Sequence, residues 1–198
     1  MPSETLLAFV TYAFVTSITP GPNNTMLLAS GLNYGFVRSL PHVVGISIGF
    51  AVLVMGVGAG LGRLFEAFPA LYALLRIVGA AYLLYLAWQI ATAAPMQDAS
   101  APGRPFGFWK AAGFQWVNPK AWIMAIGAIT AYLPAGGGVQ AVVVLALLFA
   151  LVNAPSVVVW VTFGTTLRRW LTDTRHLRLF NIAMALLLVL SLHPLLLG

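Results

Sequence analysis

Cysteine is absent from the chain, which excludes disulfides, thiol redox chemistry and thiolate metal sites. Charge is nearly absent as well. Only 7% of the residues are Asp, Glu, Lys or Arg, against about 25% in an ordinary soluble domain. A water-soluble fold of this length has no means of covering its surface with so few charges, so the chain is expected in a bilayer. Carboxylates are scarcest. Glu4, Glu66, Asp98 and Asp173 are all of them, and each sits at or beyond the end of an apolar run. None lies deep in such a run, where a proton relay or cation site needs one. This argues against a metal-ion pump. His42 and His193 remain as titratable candidates near span ends, with simple solvation at the interface as the plainer reading. No His-Glu-x-x-His, phosphate loop or Gly-x-Ser-x-Gly occurs. The expectation is a protein that is no enzyme and needs no cofactor or resident metal.

Hydrophobicity is what the chain has instead, at 61% of its residues. Six segments are long enough to cross about 30 Å of hydrocarbon at 1.5 Å per residue. They run from Leu6 to Ser30, Pro41 to Leu61, Phe68 to Thr92, Lys110 to Leu133, Val139 to Thr165 and Leu179 to Leu197. Met1 to Thr5 holds no Lys or Arg, so the basic start of a secretory signal is missing and the first segment is read as a retained span. A stretch rich in Ala, Pro and Gly from Ala93 to Pro105 separates three spans from three. The fold class is therefore all-α: one transmembrane domain over 1–198, with repeat one at 1–92, a linker at 93–109 and repeat two at 110–198. An odd number of spans per half inserts the halves in opposite senses, the inverted-repeat plan of secondary transporters.

The net charge of +6 comes from basic residues in loops, which in a membrane protein sets orientation and contact with anionic lipid and does not read as nucleic-acid binding. Arg38, Arg104, Lys110, Arg168, Arg169, Arg175 and Arg178 fall on one side, with Arg63 and Arg76 on the other. The basic side is expected in the cytoplasm and both termini outside it. Trp88, Trp109 and Trp170 fall near the same cytoplasmic boundary, where indole rings favour the headgroup layer.

Two proline breaks interrupt these spans. Thr19-Pro20-Gly21-Pro22-Asn23-Asn24 lies in the first and Asn118-Pro119-Lys120 in the fourth. Proline removes a backbone donor and clashes with the preceding turn; in lipid such a break persists only against protein or a polar cavity. From Leu6 to Pro20 is about 21 Å of helix and from Lys110 to Pro119 about 13 Å. Entered from opposite faces, the breaks reach a similar depth. Asn118 is a favoured N-cap with Pro119 at the first helical position, and this restart with Lys120 beside it suits a substrate carboxylate. The plainer alternative is a kink with Lys120 snorkelling to the interface. In the first span, Asn23 or Asn24 is a candidate cap, and the carbonyls of Ile18 and Thr19 suit an ammonium group. Together the two breaks suit a zwitterion. Asn153-Ala154-Pro155-Ser156 adds a kink to the fifth span and an amide, Asn153, that contacts either substrate or a neighbouring helix. Gly45, Gly49, Gly56, Gly58 and Gly60 suggest close helix packing or a subunit contact, a homodimer being one outcome.

At these residues the chain resembles the LysE/RhtB family of amino-acid exporters. Thr19 to Asn24, followed by Ser30-Gly31 and Gly35, is similar to that family's first-span signature. Gly45 and Gly49, then Gly79-Ala80-Ala81-Tyr82-Leu83 with Tyr85-Leu86, and Asn118-Pro119-Lys120-Ala121 follow in order. The resemblance implies a bacterial inner-membrane protein that exports amino acids, driven by the proton-motive force, as an antiporter. The sixth span departs from the pattern, with Ala183 and Ala185 where glycines are expected. Two other readings stand beside export of amino acids: a carrier of metal cations or organic anions, and a non-transporting scaffold or channel.

Overall fold

The computed structural model describes residues 2–61, 67–92, 105–134, 136–171 and 173–192. The linker expectation at 93–104, together with Arg63, Glu66, Asp98, Arg104, His193 and the side chain of Arg76, lies outside the described residues.

The described residues are helical and the expected breaks are real. The first segment folds as α1 (Ser3–Ile18) and α2 (Pro22–Tyr34). Thr19 to Gly21 is extended between them, since neither Pro20 nor Pro22 has an N–H to continue the ladder. The span outruns its expected end at Ser30, because no helix breaker occurs before Gly35. There the chain turns within one residue at φ 80°, a conformation glycine adopts without a Cβ penalty.

The second segment, α3 (Phe36–Gly56), follows at once and closes in a π-helical turn, Val57–Leu61. It begins five residues before the expected Pro41, which lies inside the helix. The carbonyl that Pro41 leaves unpaired belongs to Val37, whose side chain is strongly exposed. α4 (Pro69–Ala91) matches the third expected span. The fourth comprises α5 (Phe108–Phe114), a 3-10 turn (Gln115–Val117), extended Asn118, and α6 (Pro119–Tyr132). α7 (Val139–Trp170) is a single 32-residue helix. It passes through Pro155 and past its expected end at Thr165, finishing with Arg168 and Arg169 in its last turn, where cations favour the helix dipole. α8 (Thr174–Leu190) starts earlier than expected, at a cap made by Asp173, whose carboxylate accepts from the Arg175 N–H at 3.0 Å.

Phe36–Leu61 and Val139–Trp170 are each long and apolar enough to cross a membrane, with mean hydropathies of 2.2 and 2.6. Ser3–Ile18 and Ile77–Ala91 are shorter apolar helices. The outer faces of the two long helices carry side chains that water would penalise and lipid would not, such as Ile48, Leu147, Leu151 and Phe163. Trp88, Trp109 and Trp170 are 62%, 84% and 80% exposed, as rings at a bilayer interface should be.

Each broken helix packs chiefly on the long helix of the other half. α1 and α2 lie on α7; α5 and α6 lie on α3; α3 also packs on α7, and α4 on α8. Backbone contact is close at two of these seams. A Cβ on Gly31 would meet the Val161 carbonyl of α7, and one on Gly164 would meet the Leu28 carbonyl of α2. Gly45 and Gly49 face Phe108 and Ala112 of α5, and Gly58 faces Val142 and Ile129. These three glycines therefore pack within the chain. In place of the expected glycines, Ala185 of α8 is buried against Leu83, Leu86 and Ala87 of α4. An aromatic core lies beside the first break, with Phe149 edge-on to Phe9 and Phe50 at 5.6 and 4.8 Å.

Candidate functional site

The two breaks meet. Lys120, in the first turn of α6, reaches the end of α1 and donates to the Thr19 carbonyl at 2.6 Å and the Pro20 carbonyl at 3.4 Å. This geometry has an electrostatic reason. A lysine at a helix start faces the positive end of its own dipole, whereas the end of α1 presents carbonyls and the negative end of another. The ammonium spans from the unfavourable pole to the favourable one.

The remaining carbonyls at the end of α1 are held by side chains. Asn24 donates to Ser17 at 2.9 Å and to Thr19 at 2.8 Å, and the Trp160 indole N–H donates to Ile18 at 3.1 Å. Asn24 thus ties off the helix end behind it and does not cap the helix ahead, contrary to one expectation. Asn23 does not cap either. It exchanges two hydrogen bonds with Gln115, at 2.8 and 3.1 Å, locking the start of α2 to the 3-10 turn. Gly21 is the N-cap of α2 and offers no side chain. The carbonyls proposed for an ammonium group accept donors from within the chain: Thr19 from Lys120 and Asn24, Ile18 from Trp160.

Asn118 holds the N-cap position of α6 with Pro119 opening the helix, as expected, but its side chain makes no cap bond. Its backbone dihedrals of −88° and 107° place it there, while its amide oxygen is buried without a hydrogen-bond partner. Asn153 repeats the pattern. It donates to the Ser17 hydroxyl at 3.1 Å, and its own oxygen is buried and unpaired. An unsatisfied buried acceptor costs roughly 1–3 kcal/mol.

Both orphaned residues line one cavity of about 20 Å³. Gly21, Asn23, Asn24 and Lys120 line it too, along with Thr16, Ser17 and the apolar Phe50, Met124 and Val157. Of the ten residues expected at the site, six therefore face one space. Thr19 and Pro20 contribute carbonyls to Lys120 from outside it, and Pro22 and Pro119 start the two restarted helices. Among the described residues, Lys120 is the only charged side chain lining the cavity. Among the described residues no group of three metal-ligating side chains occurs. At about 20 Å³ the cavity holds a water or two and is too tight for an amino acid, since one water alone needs roughly 10–15 Å³ on this measure.

Gln115, Ser17, Thr16 and Trp160 were not legible as site residues. Gln115 carried the one available signal: a fully buried glutamine, three residues before Asn118 in an apolar helix.

Comparison with known proteins identifies the family. The family model described as LysE type translocator matches residues 14–193. A cysteine/O-acetylserine efflux protein of Salmonella choleraesuis is 41% identical over 187 residues, covering 93% of each chain. The proteins of that name from Salmonella typhi and Escherichia coli K12 are 40% and 36% identical, again over 93% of both chains. No solved structure matches the chain. The chain belongs to the LysE type translocator family, and is a membrane transporter and not an enzyme.

Proposed function

We propose that this translocator exports small zwitterionic amino acids with uncharged side chains, of the cysteine and O-acetylserine kind, from a site where its two broken helices meet. The names of the relatives supply the substrate class. The local chemistry supports it independently. One observation carries the reading: two buried amide oxygens, on Asn118 and Asn153, lack donors beside an ammonium group that has only carbonyls for partners. A zwitterion corrects both deficits at once. Its carboxylate takes Lys120 and the uncapped N–H groups at the starts of α2 and α6. Its ammonium takes the Thr19 carbonyl that Lys120 gives up, together with the two orphaned oxygens. Phe50, Met124 and Val157 supply an apolar wall for a short side chain. Among the described residues no carboxylate lines the cavity, so a cationic side chain finds no partner there.

Lys120 thus exchanges an internal partner for substrate. With substrate absent, its bond to Thr19 holds the halves together across the break; with substrate bound, the halves are linked through it. The tightness of the cavity fits a closed, substrate-free state that must widen on loading. Alternating movement of two inverted three-helix repeats in the cytoplasmic membrane provides that widening. Six spans follow if α1–α2 and α5–α6 each count as one broken span. The reciprocal packing of each broken span on the other half's long helix supports the inverted repeat. By the positive-inside rule the basic loops lie in the cytoplasm and both termini outside. A reporter fused after Gly198 should then be active only outside the cytoplasm; activity inside contradicts that orientation.

Asn118→Leu and Asn153→Leu test the site. Asn118→Leu removes a buried unpaired amide oxygen and should leave thermal stability equal or higher, whereas Asn153→Leu also gives up the bond to the Ser17 hydroxyl and should cost about 1 kcal/mol. O-acetylserine efflux from loaded proteoliposomes should nevertheless fall about tenfold, the effect of one lost hydrogen bond to a charged group. Normal efflux from both variants refutes the assignment.

A further inference from the structure

A second, larger cavity of about 60 Å³, room for a few waters on the same measure and so also short of an amino acid until it widens, lies away from the breaks. Its walls are the later turns of α2, the start of α3, the end of α4, and Phe106 ahead of α5. The expectation that His42 is a solvated interface residue fails here. α3 starts earlier than expected, Phe106 covers the ring at 5.3 Å between centroids, and His42 is 1% exposed. Neither ring nitrogen has a hydrogen-bond partner. An imidazole always carries at least one N–H donor, and leaving it buried and unpaired costs roughly 1–3 kcal/mol.

Apart from the half-buried Tyr34 hydroxyl and the Gln89 amide oxygen, which accepts no bond among the described residues, the other polar groups of the cavity are engaged. Asn33 exchanges bonds of 2.8 and 3.1 Å with Asn181. Ser30 pairs with Ser39 at 2.7 Å, and Gln89 donates to Tyr85 at 2.6 Å. His42 is the fully buried group left waiting. Among the described residues no carboxylate lines the space, and Lys110 lies 6.0 Å from the centroid of Phe106. A cationic ligand is therefore disfavoured. One bearing an acceptor for the imidazole and no net charge fits, with Met26, Leu86 and Ile90 against its apolar part.

α2 serves both cavities. Gly21, Asn23 and Asn24 at its start face the first; Met26, Ser30 and Asn33 face the second. From Asn24 to Asn33 is about 13 Å along the helix. We propose that the His42 cavity is a second binding site for a small zwitterionic amino acid, one step along α2 from the helix breaks, with the substrate carboxylate accepting from the imidazole N–H. This rests on the export reading for the class of solute, but not on the site at the breaks.

The test is equilibrium binding of radiolabelled O-acetylserine to the full chain in lipid nanodiscs. Wild-type protein should bind two molecules per chain. His42→Leu should bind one, and His42→Gln, which keeps a donor and an acceptor, should retain two. Gln89→Leu, at a half-buried wall position, should weaken the same step about tenfold, one hydrogen bond's worth. Lys120→Met should remove the other molecule. Wild-type stoichiometry and affinity in both His42→Leu and Gln89→Leu overturn the proposal. A single wild-type molecule lost only in Lys120→Met overturns it too, and leaves the helix-break site standing. Two molecules retained in Lys120→Met, with one lost in His42→Leu, overturn the helix-break site and support this cavity.

Discussion

Lys120→Met should lower O-acetylserine efflux from proteoliposomes about a hundredfold. Removing one partner of a buried ion pair costs about 3–5 kcal/mol. Lys120 is only partly buried, so water screens some of that loss and the lower figure applies. About 3 kcal/mol is roughly two decades of binding. The loss should appear mainly as weaker loading, because the substrate carboxylate would enter a cavity with no cation. The fold should survive, since the substitution removes the two Lys120 bonds just past the end of α1 while the Asn24, Trp160 and Asn153 bonds remain. Lys120→Arg should recover only part of the activity. Its planar guanidinium replaces a compact ammonium that must fit between two carbonyls, and Lys120 already lies against Gly21, where a Cβ would come within 2.8 Å of its Cδ. Efflux within twofold of wild type in Lys120→Met, measured alongside an unchanged unfolding temperature, would leave the lysine as a snorkelling side chain.

Much of the fold was legible in the sequence because its main event is steric. Pro20, Pro22 and Pro119 cannot sit inside a helix without cost, so both breaks were placed to the residue. Helix ends were read less well. Hydropathy marks where lipid contact ends, whereas a helix ends where a breaker stops it. α2 therefore runs on to Gly35, and α7 runs on to Trp170 through two arginines. Pro41 misled in the other direction. In the sequence it reads as a start, but it lies inside α3.

The site was legible as a set of residues and poorly legible as a set of bonds. Side chains near the breaks were assigned to caps, the local choice for Asn. Their actual partners lie across the molecule: Asn23 with Gln115, 92 residues away, and Ser17 with Asn153, 136 residues away. Trp160 reaches Ile18 over 142 residues. Local spacing carries no information about such pairs, which depend on the halves packing crosswise. The same reason hid His42, whose burial depends on Phe106, more than sixty residues on at the end of the linker.

The central claim is that the paired breaks recognise both charges of a zwitterion, and each recognition can be removed from the substrate alone. The methyl ester of O-acetylserine keeps the ammonium and loses the carboxylate. Its N-acetyl derivative keeps the carboxylate and loses the ammonium. Either loss forfeits one set of charge-assisted bonds, each worth about 1.5–3 kcal/mol, and leaves the matching protein groups unpaired. A site built to bond a group rejects the analogue lacking it by as much as about 10⁴-fold. An organic-anion carrier would instead keep the N-acetyl compound, since Lys120 alone would satisfy it. Counterflow in proteoliposomes separates these cases: O-acetylserine should exchange, while neither blocked analogue should exchange at even a hundredth of its rate. Exchange of the N-acetyl derivative or the methyl ester at a rate comparable to O-acetylserine would contradict the account.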